Sequence, residues 1–325
     1  MIVDVHGHLV PPALLDSIRK ERAKFPSLRL IEDGGGLALA FAGGKPSRPI
    51  MKGLSDTAGR LAWMEKQGID RQVNGGWPDW FGYELPAAEG EGWCRLFNDA
   101  LIAQVAAEPR FVPLASVPLQ DGARAGAVLK AAMASGFRGA MISTLPRGIG
   151  SVLDAKDLDP FWAAADETGA VIHIHPAYDA GESRVSDFGL ANGVGRVTDA
   201  MVAIARLLCT GHVTRYPNAK FFVPIGAAGL PFVIGRLKQN HKITPDIADP
   251  AEGLARIYTD SIVHDPRVLR FLIEMIGADH VMMGSDMPFP IGETEPMKVV
   301  AAAGLQPGQV AAINGGSAQK LFRIV

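Results

Sequence analysis

The sequence lacks the features that mark a secreted or membrane-spanning protein. Its 325 residues include only two cysteines, Cys94 and Cys209, which lie in predicted helices and are too few for a disulfide framework. No apolar run is long enough to cross a bilayer, and Asp4 and His6 interrupt the apolar start of the chain. We therefore expect no signal peptide, no membrane partner and a cytoplasmic location.

The sequence also lacks an excess of charge of one sign. The formal net charge is −2 and the isoelectric point is about 6.5, so we expect no nucleic-acid partner. A Gly-x-Gly-x-x-Gly motif does not follow the first predicted strand, which argues against an open, doubly wound dinucleotide-binding sheet. What remains is an ordinary globular composition, with 48% hydrophobic and 20% charged residues.

The chain begins with a short apolar run that carries two histidines. Residues 2–8 are rich in β-branched side chains, which predicts a buried strand. Because strand side chains alternate, Asp4, His6 and His8 lie on one face. Two imidazoles on one strand can bind a divalent cation from one side, but a metal site needs at least one further protein ligand.

Short apolar strands and amphipathic helices then alternate along the chain. Together with the first strand they predict eight strands, the others being residues 70–74, 111–117, 139–143, 170–175, 220–225, 257–261 and 280–284. The Asp159-Pro160 and Asp265-Pro266 pairs are typical helix starts, each with an N-cap followed by proline. Eight such units predict an α/β fold, a closed (β/α)₈ TIM-like barrel.

Residues 26–50 do not follow this alternation. Two alternating runs joined by Asp33-Gly34-Gly35-Gly36 predict a β-hairpin inserted beside the main sheet. We therefore interpret residues 1–325 as a single barrel domain that contains this small insertion.

The barrel requires functional residues at the carboxyl ends of its strands, and the sequence places more such residues there. Strand five ends in His175 and strand eight is followed by Asp286, although neither was used to place the strands. A lone histidine in a core strand is more often structural, but three imidazoles with a carboxylate form a typical transition-metal set. His173 and Asp4 lie deeper, where we expect structural roles or hydrogen bonds to a ligand.

The other four histidines fall in helix ends or turns. We expect them to be solvated; they are His212, His241, His264 and His280.

Three motifs together resemble the amidohydrolase superfamily. They are Asp4-x-His6-x-His8, the Val-Ile-His-Ile-His-Pro run ending at Pro176, and the Gly-Ser-Asp-Met-Pro-Phe-Pro run over 284–290. The likeness extends to segments such as Arg48-Pro49 and Gly235-Arg236, and these are similar to the branch typified by 2-amino-3-carboxymuconate-6-semialdehyde decarboxylase.

This resemblance implies a site for one divalent metal ion and a small carboxylate substrate. The implied ligands are His6, His8, His175 and Asp286, and the implied ion is Zn²⁺, with Mn²⁺, Co²⁺ or Fe²⁺ as alternatives.

The resemblance also implies roles for three further residues. Arg48 pairs with a substrate carboxylate, Phe289 lines the substrate pocket, and Arg236 reaches the site of a neighbouring subunit in a homodimer. From the residues alone, both arginines read as solvated surface side chains.

The sequence departs from the resemblance after strand six. Relatives carry a histidine there that activates metal-bound water, and counting back from Gly235-Arg236 places Ile225 at that position. An isoleucine cannot accept a proton, so a mechanism that needs this base is in doubt.

Three functions remain open. The first is a non-oxidative decarboxylase of a small aromatic or unsaturated carboxylate, in which Asp286 delivers or relays the proton that replaces CO₂. The second is a hydrolase or hydratase that uses metal-activated water. The third is a catalytically impaired metal- or ligand-binding homologue. In each case we expect the loop over residues 177–198 to cover the pocket.

Overall fold

A computed structural model describes residues 1–33, 36–177 and 181–325. Its strands are β1 (Val3–His8), β2 (Leu28–Asp33), β3 (Gly36–Phe41), β4 (Arg71–Gly75), β5 (Phe111–Pro113), β6 (Gly139–Ser143), β7 (Val171–His175), β8 (Lys220–Val223), β9 (Ile257–Asp260) and β10 (Val281–Met282). Its α-helices are Pro12–Glu21, Lys52–Ser55, Thr57–Gln67, Ala87–Ala107, Gly122–Ala134, Asp159–Thr168, Arg196–Cys209, His212–Arg215, Leu230–Ile243, Pro250–Leu254, Pro266–Ile276, Met297–Ala302, Pro307–Ala311 and Ser317–Phe322.

Eight of the strands form the barrel. β1, β4 and β5 pair in parallel in one sheet, and β6 to β10 pair in parallel in a second. Isolated parallel bridges, Gly7 with Met287 and Ala115 with Ala140, join the two sheets at both of their edges. The ring is therefore continuous, and the predicted (β/α)₈ fold is confirmed. No described helix is long and apolar enough to cross a membrane.

The predicted hairpin is formed by β2 and β3. These strands pair antiparallel from Leu28–Phe41 to Asp33–Gly36, and the predicted turn residues Gly34 and Gly35 lie outside the described residues. The segment after β3 returns along that strand, because Ser47 N donates to Leu39 O at 2.7 Å. This return carries Arg48 from the insertion to the barrel mouth.

The helix ends show which capping signals were reliable. Asp265 caps its helix as predicted, since its Oδ1 accepts a hydrogen bond from Arg267 N at 2.7 Å. Asp159 does not: it is the first helical residue, and the N-cap residue, Leu158, provides no side-chain cap. A further difference concerns strand six of the barrel, which was predicted over 220–225 but ends at Val223.

The residues after β8 form a left-handed turn. Ile225, Gly226 and Ala227 have φ values of 57°, 57° and 56°, a region that a β-branched residue seldom adopts. Side chains at the end of β9 stabilise this turn: Thr259 Oγ1 accepts from Ala227 N, and Asp260 Oδ1 accepts from Ile225 N at 2.8 Å.

A buried carboxylate joins β1 to its neighbours on both sides. Asp4 accepts hydrogen bonds from Gln72 Nε2 at 2.7 Å on β4, and from Ser285 N at 3.0 Å and Ser285 Oγ at 2.5 Å after β10. Gln72 Oε1 in turn accepts from the buried Arg60 at 2.7 Å. Burial raises the pKa of Asp4, although the bonds from Gln72 and Ser285 oppose that shift.

We expect Asp4→Ala to lower the free energy of unfolding by about 3 kcal/mol or more, because it leaves several buried donors without an acceptor. The urea midpoint measures this loss. Asp16→Ala is the matched control, since the Asp16 side chain is 69% exposed and its ion pair should contribute less than about 1 kcal/mol. Equal midpoints for the two variants would show that the Asp4 network does not stabilise the barrel.

Candidate metal centre

Three imidazoles and one carboxylate meet at the carboxyl ends of the barrel strands. His6 and His8 come from β1, His175 ends β7, and Asp286 follows β10. One possible ligand atom from each lies within 4.8 Å of the others, and the three histidines are buried. The four residues that the sequence predicts as ligands are therefore brought together by the fold.

Backbone carbonyls fix the orientation of two of these rings. His8 Nδ1 lies 3.0 Å from Gly76 O, and His175 Nδ1 lies 2.9 Å from Pro176 O. A carbonyl oxygen can only accept, so both rings carry their proton on Nδ1. Their Nε2 lone pairs are then available to a metal, as in most histidine metal sites.

A buried carboxylate fixes the third ring. His6 Nδ1 lies 2.8 Å from Asp260 Oδ2, and Asp260 Oδ1 accepts backbone bonds from Ile225 at 2.8 Å and Ile262 at 3.2 Å. The Oδ2 atom of Asp260 is thus left to accept the His6 Nδ1 proton. Asp260 thus links a candidate ligand to the left-handed turn after β8.

The donor atoms have the spacing and the chemistry that a divalent ion requires. Asp286 Oδ1 lies 3.1 Å from His8 Nε2 and 3.5 Å from His6 Nε2. Two ligand atoms of a tetrahedral zinc ion lie about 3.4 Å apart, because each bond is about 2.1 Å long. These three atoms are buried and have no hydrogen-bond partner among the described residues.

The charges at the site are consistent with a metal-binding group. Burial lowers the pKa of His8, and it holds the pKa of His175 well below the ordinary histidine value. Burial also disfavours charge on His6, but the Asp286 and Asp260 carboxylates outweigh it and raise the pKa of that ring. The imidazoles likewise outweigh burial at Asp286, so the pKa of its carboxyl is lowered and the group is a carboxylate near neutral pH.

The backbone conformation of Asp286 also directs its side chain towards the three histidines. Its φ is 59°, in the left-handed region, and its amide donates to His6 O at 2.7 Å. Aspartate tolerates this conformation better than most residues. Gly284 lies two residues earlier, where a Cβ would come within 2.8 Å of Asp260 Cβ, so a side chain there would push the ends of β9 and β10 apart.

The two deeper residues have different surroundings. Asp4 accepts a bond from His6 N at 3.1 Å, so it supports the strand that carries two candidate ligands. His173 has no hydrogen-bond partner for either ring nitrogen among the described residues, and its ring centroid lies 4.6 Å from that of His6. Burial holds the pKa of His173 well below its usual value, so this ring packs as a neutral group.

A small cavity of about 20 Å³, room for about one water molecule, lies beside the four residues and marks the inner end of the candidate substrate pocket. Its lining is Arg48, Trp77, Pro78, Asp79, His175, Pro176, Arg196, Asp286 and Phe289. Phe289 lines this cavity, and its ring centroid lies 5.1 Å from that of His8. The described part of the loop over 177–198 contributes to an adjoining cavity of about 520 Å³, which shares Arg48 and Arg196 with the small one.

The two arginines that the resemblance implies have different positions. Arg48 donates to both oxygens of Asp79, from Nε at 2.9 Å and from one Nη at 2.8 Å, and its guanidinium carbon lies 5.6 Å from the Trp77 ring centroid. Arg236 is exposed on the helix Leu230–Ile243 and does not line the pocket of its own chain.

Sequence reasoning missed Asp260, Asp79 and Arg196. Asp260 had a usable signal, because it is a carboxylate near the carboxyl end of a predicted barrel strand, as Asp286 is. Asp79 and Arg196 lie in or next to loops, where no strand or helix pattern predicts that a side chain faces the pocket.

The remaining histidines lie away from the pocket, and the prediction that all four are solvated is wrong for His212. His241 and His280 are half-buried, with Nδ1 at 2.6 Å from Ile247 O and at 2.9 Å from Ile257 O respectively. His212 is buried rather than solvated, since its Nδ1 lies 2.8 Å from Thr210 Oγ1 and its ring packs near Trp162. His264 is 48% exposed, as expected.

Comparison with curated proteins finds relatives that are named decarboxylases. Over 316 residues the chain is 27% identical to 2-amino-3-carboxymuconate-6-semialdehyde decarboxylase of Dictyostelium discoideum, covering 92% of this chain and 84% of that protein.

Two solved structures share the fold. The 5-carboxyvanillate decarboxylase of Novosphingobium aromaticivorans, complexed with manganese and 4-hydroxy-3-methoxy-5-nitrobenzoic acid, has a TM-score of 0.81 and 20% identity, covering 100% of this chain and 96% of that one. The dihydroxybenzoic acid decarboxylase of a Polaromonas species, with bound manganese and the inhibitor 2-nitroresorcinol, has a TM-score of 0.77 and 19% identity, covering 99% and 97%.

The family model described as Amidohydrolase matches residues 3–324. Because this match spans nearly the whole sequence, the chain belongs to the amidohydrolase family.

Proposed function

We propose that this protein is a metal-dependent, non-oxidative decarboxylase of a small aromatic or unsaturated carboxylate. The observation that carries the metal site is the 3.1 Å separation of His8 Nε2 and Asp286 Oδ1. With the His8 proton on Nδ1, both atoms present lone pairs, which repel each other in a buried site unless a cation lies between them. The decarboxylase names of the relatives support the reaction.

His6, His8, His175 and Asp286 would hold one divalent ion. A set of imidazoles with one carboxylate suits Zn²⁺, Mn²⁺, Co²⁺ or Fe²⁺, and manganese is named in two of the similar structures. When bound, the ion supplies a Lewis acid that polarises a substrate oxygen.

The side chains of the pocket supply orientation and a proton. Phe289, Trp77 and the Arg48–Asp79 pair would contact the part of the substrate nearest the metal, and the body of a ring needs the adjoining cavity of about 520 Å³. As the carbon–carbon bond to the carboxylate breaks, its electron pair stays on the ring carbon and CO₂ leaves. Asp286, whose side chain is ionised and 16% exposed, would take up a proton from solvent and relay it to that carbon.

Hydrolysis or hydration is the second candidate, and the turn after β8 argues against it. Activation of water needs a base. Relatives carry a histidine at the position of Ile225, and an isoleucine side chain cannot accept a proton. Its backbone N–H is bound to Asp260, so this residue has a structural contact instead. Asp286 would have to serve as the base. Decarboxylation does not consume water and has no such requirement.

We expect Asp260→Asn to lower metal affinity about 10- to 100-fold, because the acceptor of the His6 proton is weakened. Titration of the metal-depleted protein with Mn²⁺ or Zn²⁺ measures this change. Asp265→Asn makes the same chemical change at a helix cap remote from the ligands, and it should keep wild-type affinity. Unchanged affinity in Asp260→Asn would mean that Asp260 does not orient a ligand.

We expect turnover of 5-carboxyvanillate or a dihydroxybenzoate in D₂O to release CO₂ and leave one deuterium at the vacated carbon. Mass spectrometry of the product measures this, and Asp286→Asn should reduce the rate by at least about 100-fold. Incorporation of ¹⁸O from labelled water without CO₂ release would indicate the hydrolase or hydratase. Ligand-induced stabilisation without turnover, for any metal, would indicate the impaired homologue.

We further propose that the protein is a homodimer whose interface includes the helix Leu230–Ile243. Phe232, which is 83% exposed, and Arg236 lie one helical turn apart on the same face, where Arg236 could reach a partner's site.

Light scattering should therefore give twice the 34.5 kDa chain mass. Phe232→Glu should shift the protein towards the monomer, whereas Val268→Glu, at another exposed apolar site, should not. A monomeric wild type would contradict the proposal.

A further inference from the structure

The peptide unit between Pro176 and Ala177 is hydrogen-bonded at both of its edges. On one edge, Pro176 O accepts a hydrogen bond from His175 Nδ1 at 2.9 Å. On the other edge, Ala177 N donates to Asp199 Oδ2 at 3.1 Å and to Thr144 Oγ1 at 3.0 Å. Because a trans peptide unit is planar and its N–H and C=O point in opposite directions, the His175 ring and the Asp199 carboxylate lie at the two ends of one hydrogen-bonded chain.

Thr144 attaches the same peptide unit to the neighbouring strand. Its hydroxyl donates to Asp199 Oδ2, and its backbone N donates to His175 O at 3.1 Å. A hydroxyl has a single proton, so the bond to Asp199 turns the lone pairs of Thr144 Oγ1 towards Ala177 N. The Asp199 carboxylate therefore also sets the orientation of the second acceptor.

Asp199 reaches this peptide unit from a separate element. It lies in the first turn of the helix Arg196–Cys209, whereas Thr144 directly follows β6 and His175 ends β7. β6 and β7 are adjacent in the sheet, so the carboxylate joins a helix to the carboxyl ends of two neighbouring barrel strands. The Asp199 side chain is half-buried and Thr144 is buried, and hydrogen bonds to a carboxylate are strong in such surroundings.

Hydrogen bonds in a chain polarise one another. A carboxylate that accepts from the N–H edge of a peptide unit makes the carbonyl oxygen on the opposite edge a better acceptor. Pro176 O then holds the His175 Nδ1 proton more firmly, which makes His175 Nε2 a stronger electron-pair donor to a metal ion. His6 has a carboxylate, Asp260, in direct contact with its Nδ1 at 2.8 Å, and His175 has one at the far side of a single peptide unit.

We infer that Asp199 is a positioning residue for the metal centre, one that orients His175 and strengthens it as a ligand through the Pro176–Ala177 peptide unit. Asp199 is not one of the four candidate ligands, and its effect is transmitted entirely through the backbone. This inference rests on the proposed metal site.

We expect Asp199→Ala to lower the affinity of the metal-depleted protein for Mn²⁺ by about tenfold or more, as the loss of a group that supports a ligand does. Asp199→Asn keeps an acceptor but loses the charge, so its affinity should lie between those of Asp199→Ala and the wild type. Asp166→Ala is the matched control. Asp166 Oδ1 also accepts from a backbone amide, Asn218 N at 2.7 Å, but at the amino end of β8, so the affinity should stay within about twofold of wild type.

A second measurement follows the His175 ring without any metal. In ¹⁵N-histidine-labelled, metal-free protein, the Nδ1 proton resonance of His175 can be assigned from its loss in His175→Ala. We expect this resonance to move upfield in Asp199→Ala, because the bond to Pro176 O weakens, and to keep its position in Asp166→Ala. The Nδ1 proton of His8, which is bound to Gly76 O, should not move in either variant.

An unmoved His175 resonance in Asp199→Ala would overturn the inference, and so would a metal affinity equal to that of Asp166→Ala. Equal movement of the His175 and His8 resonances would show a general loosening of the barrel and would also overturn it. If Asp199→Ala does not fold, the same two measurements on Asp199→Asn decide the question. Each of these results leaves the metal site standing, whereas a wild-type protein that binds no divalent ion overturns the proposed function and this inference together.

Discussion

The site depends on the acceptors that hold Nδ1 of each imidazole. The carbonyls of Gly76 and Pro176 belong to the backbone just after β4 and β7, so they are fixed by the same strands that present the rings. Asp260 performs this function for His6 from the end of β9. Since each Nδ1 proton is committed to an outward partner, the three Nε2 atoms converge, and the left-handed backbone of Asp286 adds its carboxylate to them.

Asp260 has a second function, because its other oxygen holds the left-handed turn after β8. That turn places Ile225 in a conformation costing roughly 1–2 kcal/mol, whereas Asp286, which is also left-handed, is of a residue type that tolerates this region better. Such conformations persist only where surrounding bonds determine them. Here a buried carboxylate with several backbone donors does so, and the ligand ring and the strained turn are therefore coupled through one residue.

The fold and the metal-binding group could be predicted because they depend on periodic features. Buried parallel strands show as apolar runs, and the barrel places their carboxyl ends together, so His175 and Asp286 could be placed without contact information. The rest depends on loop conformation. Pro224 and Gly226 do mark the turn after Val223, but no sequence signal predicts the left-handed conformation of the β-branched Ile225 between them. The pairing of Arg48 with Asp79 joins two loop segments, and no sequence spacing predicts that contact.

The same turn explains why the absence of a base after β8 need not disable the site. In this chain the backbone amides of Ile225 and Gly226 bind Asp260, which keeps His6 oriented, and the side chain at position 225 takes no part in that contact. Orientation of the ligand and provision of a base are thus separable functions of one segment. A decarboxylation needs a polarised substrate oxygen and one proton, but no activated water. It therefore needs the oriented ligand and does not need the base.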